Sequence, residues 1–120
     1  MKKTEKTTQL RLFHMRDAAS NIAQFLKDVD FNAFCANREK FAATLYEIQI
    51  IGEACYRVDK TYKAQHPQIE WAKIERTRHI IVHDYDAIDE QTIWRVATTY
   101  VPQLLIDIEP LIDTLNMIKR

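Results

Sequence analysis

The chain has 120 residues, of which 47% are hydrophobic and 28% charged, with one glycine and three prolines. One domain of this length, residues 1–120, buries about two-thirds of the surface its unfolded chain would expose. A single glycine argues against a β-rich fold, because hairpin turns lean on glycine. The 17 basic and 17 acidic residues cancel, which excludes a global field for nucleic acid or membrane and leaves only local clusters.

The polar opening through about Thr7 reads as frayed. A stripe then follows in steps of three and four: Leu12, Met15, Ala19, Ile22, Leu26 and Val29. It predicts an amphipathic helix of roughly six turns. Asp30 can cap a short second helix through Ala36, and Asn37 can cap the next. That third helix carries Phe41, Leu45, Ile48, Gly52 and Cys55 at the same steps. A glycine inside a helix costs about 1 kcal/mol relative to alanine, so Gly52 suggests a second backbone crossing closely.

His66-Pro67 interrupts the pattern. A fourth helix should begin near Ile69 or Glu70, carry Trp71 and Ile74, and loosen around Asp84-Tyr85-Asp86. Asp89 can cap a long last helix with the stripe Trp94, Ala97, Val101, Leu104, Ile108, Leu111, Leu115 and Ile118. Pro102 and Pro110 fall inside it, which predicts kinks or one break. The expected fold is all-α, an antiparallel four-helix bundle with one short extra helix. Cys35 and Cys55 read as buried thiols without metal spacing. No segment has the length of a membrane span, and no apolar core follows the opening MKKTEKTTQ, so a cytosolic protein is expected.

The anomaly lies in the fourth helix, in Arg78-His79-Ile80-Ile81-Val82-His83-Asp84-Tyr85. Continuing the stripe from Trp71 and Ile74 lands on Arg78, Ile81 and Tyr85, so a cation and a phenol occupy apolar positions. An unpaired buried guanidinium is very costly. Arg78 must therefore meet a carboxylate such as Glu53, a cleft or a second subunit, and the cleft is favoured with His83 and Tyr85 near. Arginine matches phosphate geometry, and histidine as a residue type titrates near physiological pH. His83 lies roughly 140° around an ideal helix from Arg78, so either the helix ends near His83 or the two converge across a dimer axis. His79 and His83 have the spacing of two metal ligands on one turn, but no third accompanies them, and no metal is expected. Arg76, His79 and Glu53 could line the cleft or contact RNA, whereas His14 and His66 read as surface or loop residues.

These residues resemble the HepT-like branch of the HEPN superfamily over nearly the whole chain. The matching pieces are Ile51-Gly52-Glu53-Ala54, Ile69-x-Trp71-x-x-Ile74, Arg78-x4-His83-x-Tyr85 with Ile88-Asp89, and Trp94 with Tyr100-Val101-Pro102-x-Leu104. The chain departs from the family pattern at Glu70, Arg76 and His79, where proline, glycine and asparagine are frequent. The resemblance implies a homodimer whose two motifs line a shared groove. It implies a metal-independent endoribonuclease toxin without cofactor, in which Arg78 and His83 are the catalytic pair. It further implies a nucleotidyltransferase antitoxin that transfers AMP to Tyr85. Two rivals stand beside it: a non-catalytic HEPN module that binds the same partner, and a metal-binding bundle using His79 and His83.

Overall fold

The computed structural model describes residues 3–84, 86 and 88–119, and every regular element among them is helical. The helices are α1 (Lys3–Phe25), α2 (Phe31–Ala36), α3 (Arg38–Arg57), α4 (Lys60–Gln65), α5 (Trp71–His83), α6 (Glu90–Arg95) and α7 (Val101–Lys119). A π-helical segment, Val96–Tyr100, joins α6 to α7.

Residue pairs across the interfaces fix an antiparallel arrangement. Lys40, at the start of α3, donates to the Phe25 carbonyl at the end of α1 (2.7 Å). Gln9 near the start of α1 donates to Asn116 near the end of α7 (2.6 Å). Cys55 near the end of α3 donates to the Trp71 carbonyl at the start of α5 (3.5 Å). Thus α1 lies between α3 and α7, and α5 packs on the far side of α3. Among the described residues, no comparably extensive packing joins α5 to α7; the two flank an apolar recess lined by Ile48, Ile51, Ile74, Val101 and Leu104. The four-helix bundle is therefore open along one side.

The expected stripes form the core. Leu12, Met15, Ala19 and Ile22 of α1 are fully buried, as are Phe34, Cys55 and Ile108. Full burial of a large aliphatic side chain contributes about 1.5–3 kcal/mol, so α1 gains most from the face that α3 and α7 cover. Leu26 and Val29 fall beyond the helix end, where the chain reverses through Asp28 at φ 60°. Aspartate tolerates this left-handed conformation better than most residues.

Caps sit where the sequence predicts them. Asp30, Asn37 and Asp89 accept from the backbone N–H of Ala33, Lys40 and Thr92, respectively. Each satisfies one of the helix donors that lack an intrahelical partner. Phe34 of α2 packs against Phe41 of α3 and Trp94 of α6, with ring centroids 5.6 and 5.2 Å apart. This aromatic cluster ties the chain after the Arg-x4-His run to the bundle.

Three details depart from the sequence expectation. First, α1 reaches back to Lys3 instead of fraying through Thr7. Thr8 and Gln9 are buried and Gln9 is bonded to α7, so the polar opening has a packed neighbour. Second, an unexpected short helix, α4, follows α3 in addition to the expected α2. The extra helix α4 buries none of its residues and shows no apolar stripe; Asp59 caps it through the N–H of Tyr62. Third, the last helix breaks only at Val96–Tyr100 and runs through Pro110. In a regular α-helix Pro102 would deny Thr98 a donor and collide with its carbonyl. One wider turn, in which the Val101 N–H bonds the Val96 carbonyl, precedes it instead.

Candidate active site

The site is built at the crossing of α3 and α5. Gly52 is buried on α3, and a Cβ placed there would overlap Arg78 Cβ and lie 2.8 Å from its Cγ. The missing side chain lets the Arg78 stem lie against the α3 backbone. From that point the guanidinium reaches Glu53, with Nη2 2.8 Å from Oε2. The other Glu53 oxygen takes Arg57 Nε at 2.9 Å. One carboxylate thus serves two guanidinium groups, leaving the cluster with net positive charge. The hydrogen bond from Arg57 and the charges of Arg78 and Arg57 hold the Glu53 carboxyl below the usual range, against a smaller opposing effect of burial.

Arg78 also lies over the ring of Tyr56, its Cζ 5.3 Å from the ring centroid. Its side chain remains 24% exposed, so the internal pair and contact with solvent coexist. Arg78 Nε is buried and finds no acceptor among the described residues. An arginine held this way is aimed before any ligand arrives, which reduces the reorganisation needed to bind an anion.

The helix ends at His83, and the Asp84 N–H closes the last turn on the Ile80 carbonyl at 2.9 Å. His83 is exposed, as are His79 and Arg76. The rings of His79 and His83 lie 4.5 Å apart between centroids and are mutually tilted. Arg76, His79 and His83 share one stripe of α5, while Arg78 turns toward α3. No hydrogen bond or ion pair links Arg78 to His83 among the described residues. Tyr85 lies outside the described residues, immediately after this helix end. His14 is exposed; His66 is half-buried, with its ring against Tyr62 and its carbonyl accepting from Trp71 Nε1 at 2.9 Å.

Among the described residues, no three His, Cys, Asp or Glu side chains come together to hold a metal ion. No helix among them is long and apolar enough to cross a membrane. Two residues of this corner escape a reading by stripe alone, Tyr56 and Arg57. The signal for Arg57 is its position four residues after Glu53, one helical turn on. Tyr56 shows only in three dimensions, because its neighbour Arg78 comes from another helix.

The family model described as HepT-like ribonuclease matches residues 15–111. The chain belongs to the HepT-like ribonuclease family. Among curated relatives of this HepT-like chain, a candidate RNase of Methanocaldococcus jannaschii is 28% identical over 98 residues, covering 82% of this chain and 90% of the relative. A probable ribonuclease HepT of Thermococcus cleftensis is 27% identical over 88 residues, covering 73% and 80%. A second candidate RNase of Methanocaldococcus jannaschii is 25% identical over 112 residues, covering 93% of both chains. No solved structure matches the chain. The Arg-x4-His-x-Tyr run lies inside the matched region of this HepT-like chain, and its Arg78 and His83 belong to the last turns of α5.

Proposed function

We propose that this HepT-like chain is a metal-independent endoribonuclease, acting as the toxin of a toxin–antitoxin pair in the cytoplasm. The observation that carries the reading is the α5 helix end. It offers an exposed imidazole, His83, five residues past an arginine already aimed by Glu53. Family membership and the ribonuclease names of its relatives supply the substrate class.

In the proposed reaction the ribose 2′-hydroxyl next to the scissile bond attacks phosphorus. The 5′-oxygen of the following nucleotide leaves, and a 2′,3′-cyclic phosphate remains. RNA carries the hydroxyl this requires and DNA does not. His83 takes the 2′-hydroxyl proton as general base. The His83 of a second copy supplies the leaving oxygen's proton, which is the chemical reason for a homodimer with a shared groove. Arg78 stabilises the charge that accumulates on the non-bridging oxygens in the transition state. His79 and Arg76, on the stripe of His83, attract the flanking phosphates.

The same reading assigns Tyr85 as the acceptor of AMP from a nucleotidyltransferase partner. The phenol oxygen would attack the α-phosphorus of ATP, releasing pyrophosphate. The resulting anion would occupy the place of substrate phosphate and block it by volume and repulsion.

Cleavage of a labelled RNA by the purified protein, with chelator present, tests the nuclease against His83→Ala. Loss of about 10²-fold or more in the variant is expected for a general acid–base group. Equal cleavage by both proteins sinks the enzyme reading and leaves the non-catalytic HEPN module. Mass spectrometry after co-expression with an active nucleotidyltransferase tests Tyr85; an unchanged mass counts against modification.

A further inference from the structure

Tyr56 is 62% exposed although it stands beside the guanidinium of Arg78, which Glu53 holds in place. The large aromatic Tyr62, by contrast, is half-buried and packs with its edge toward Trp71. Tyr46, equally exposed, has no cation over its ring among the described residues. Among the described residues, Tyr56 is the one exposed tyrosine with a guanidinium over its ring. A single guanidinium can cover at most one of the two faces of a ring, and most of the Tyr56 surface is exposed.

That combination has a chemical meaning next to a phosphate-binding arginine. In a single strand, the base and phosphate of one nucleotide are close neighbours, so a phosphate on Arg78 places a base within reach of the adjoining ring. Aromatic side chains accept unstacked bases with little sequence preference, because every base offers a π-face. A ring already polarised by a cation on one side makes a rigid platform for a base on the other. The net positive charge of the Arg57–Glu53–Arg78 cluster suits the strand that carries both groups.

We propose that Tyr56 is a base-stacking residue beside Arg78, and that this platform directs the enzyme to single-stranded RNA. The proposal rests on the nuclease reading above for its substrate. A base paired within a duplex keeps its faces covered by its neighbours and cannot lie on Tyr56 without being unstacked. Single strands, loops and ends present it directly.

The test uses the full-length protein and a single-stranded RNA containing 2-aminopurine, whose fluorescence falls when the base stacks. In a His83→Ala background, which prevents turnover, binding is expected to quench the probe with tyrosine at position 56 and with Tyr56→Phe. Tyr56→Leu is expected to abolish the quench and weaken binding about tenfold. In the cleavage-competent protein, Tyr56→Leu is expected to raise KM about tenfold with kcat changed by no more than about twofold. Duplex RNA of the same sequence is expected to be a poor substrate. Undiminished quenching and affinity in Tyr56→Leu overturn the proposal. So does a fall in kcat at unchanged KM, which would mean that Tyr56 only steadies Arg78. A changed oligomeric state of Tyr56→Leu by gel filtration also overturns it, because the ring would then belong to a subunit interface. If the parent and His83→Ala cleave RNA equally, the nuclease reading fails, while the quench still decides whether Tyr56 stacks a base.

Discussion

Gly52 and Arg78 occupy one point of the α3–α5 crossing: the space where a Gly52 side chain would begin is filled by the Arg78 stem. The only glycine of the chain thereby sets the position of the arginine that Glu53 pairs. Gly52→Ala gains helix propensity of about 1 kcal/mol, but the obstacle is Cβ and Cγ beside the α5 backbone, not the far end of a flexible chain. The helices must separate, and overpacking of this kind costs about 1–3 kcal/mol. A net loss of stability is expected by urea denaturation, together with reduced RNA cleavage. An unchanged midpoint would show that α5 can shift freely.

Glu53→Gln tests the shared carboxylate. Because pairing lowers the folded carboxyl below its ordinary range, its contribution to stability is present above that range. It disappears as the pH falls through the lowered folded value. Denaturation midpoints of the wild type and Glu53→Gln should therefore differ near neutrality and converge in acid. Both partners are partly exposed, so the difference at neutrality should be modest and shrink with added salt. A gap that persists in strong acid would contradict the assignment.

Arg78→Lys keeps the charge and removes the planar fork. Lysine cannot serve Glu53 and a phosphate with the same geometry. Cleavage is expected to fall about 10²-fold, comparable to losing one preorganised transition-state donor. Stability should change by less than in Gly52→Ala. Steady-state kinetics and a urea titration of the same preparation make the comparison, and near-normal kcat would remove the fork from the reaction.

Burial pushes the Cys55 thiol up to about 12, with the charge of Glu75 acting in the same direction. Its reactive thiolate is correspondingly scarce at neutral pH. Alkylation of the native protein is expected to label Cys35, which is partly exposed, and to spare Cys55 until denaturant is added. Rapid native labelling of Cys55, read by peptide mass spectrometry, would show that α3 and α5 open readily.

Asn37→Ala removes the side chain that accepts the Lys40 N–H at 3.0 Å. A loss of about 1 kcal/mol is expected, measurable as a lower denaturation midpoint. Asn37→Asp should retain the cap, because the carboxylate accepts the same N–H at the helix N-terminus.

Helix by helix, the order of apolar residues was enough to place α1, α3, α5 and the α6–α7 run, and Asp30, Asn37 and Asp89 announced the starts of α2, α3 and α6. Those features depend on neighbours within a turn or two, where a linear reading is strongest. The same logic predicted a close approach at Gly52 and an end to α5 near His83. Helix α4 escaped because it buries no stripe, and the wide turn before Pro102 escaped because proline announces a disruption without saying which form it takes.

Only the folded molecule decided the company Arg78 keeps. Its apolar-stripe position left a carboxylate, a cleft and a second subunit open, and within the protomer the structure combines the Glu53 pair with partial exposure. The contact with Tyr56 and the open side between α5 and α7 are likewise tertiary facts. The physical reason is range. Periodicity specifies which face of a helix turns inward, whereas the partner met there depends on how another helix, distant along the chain, is rotated and displaced against it.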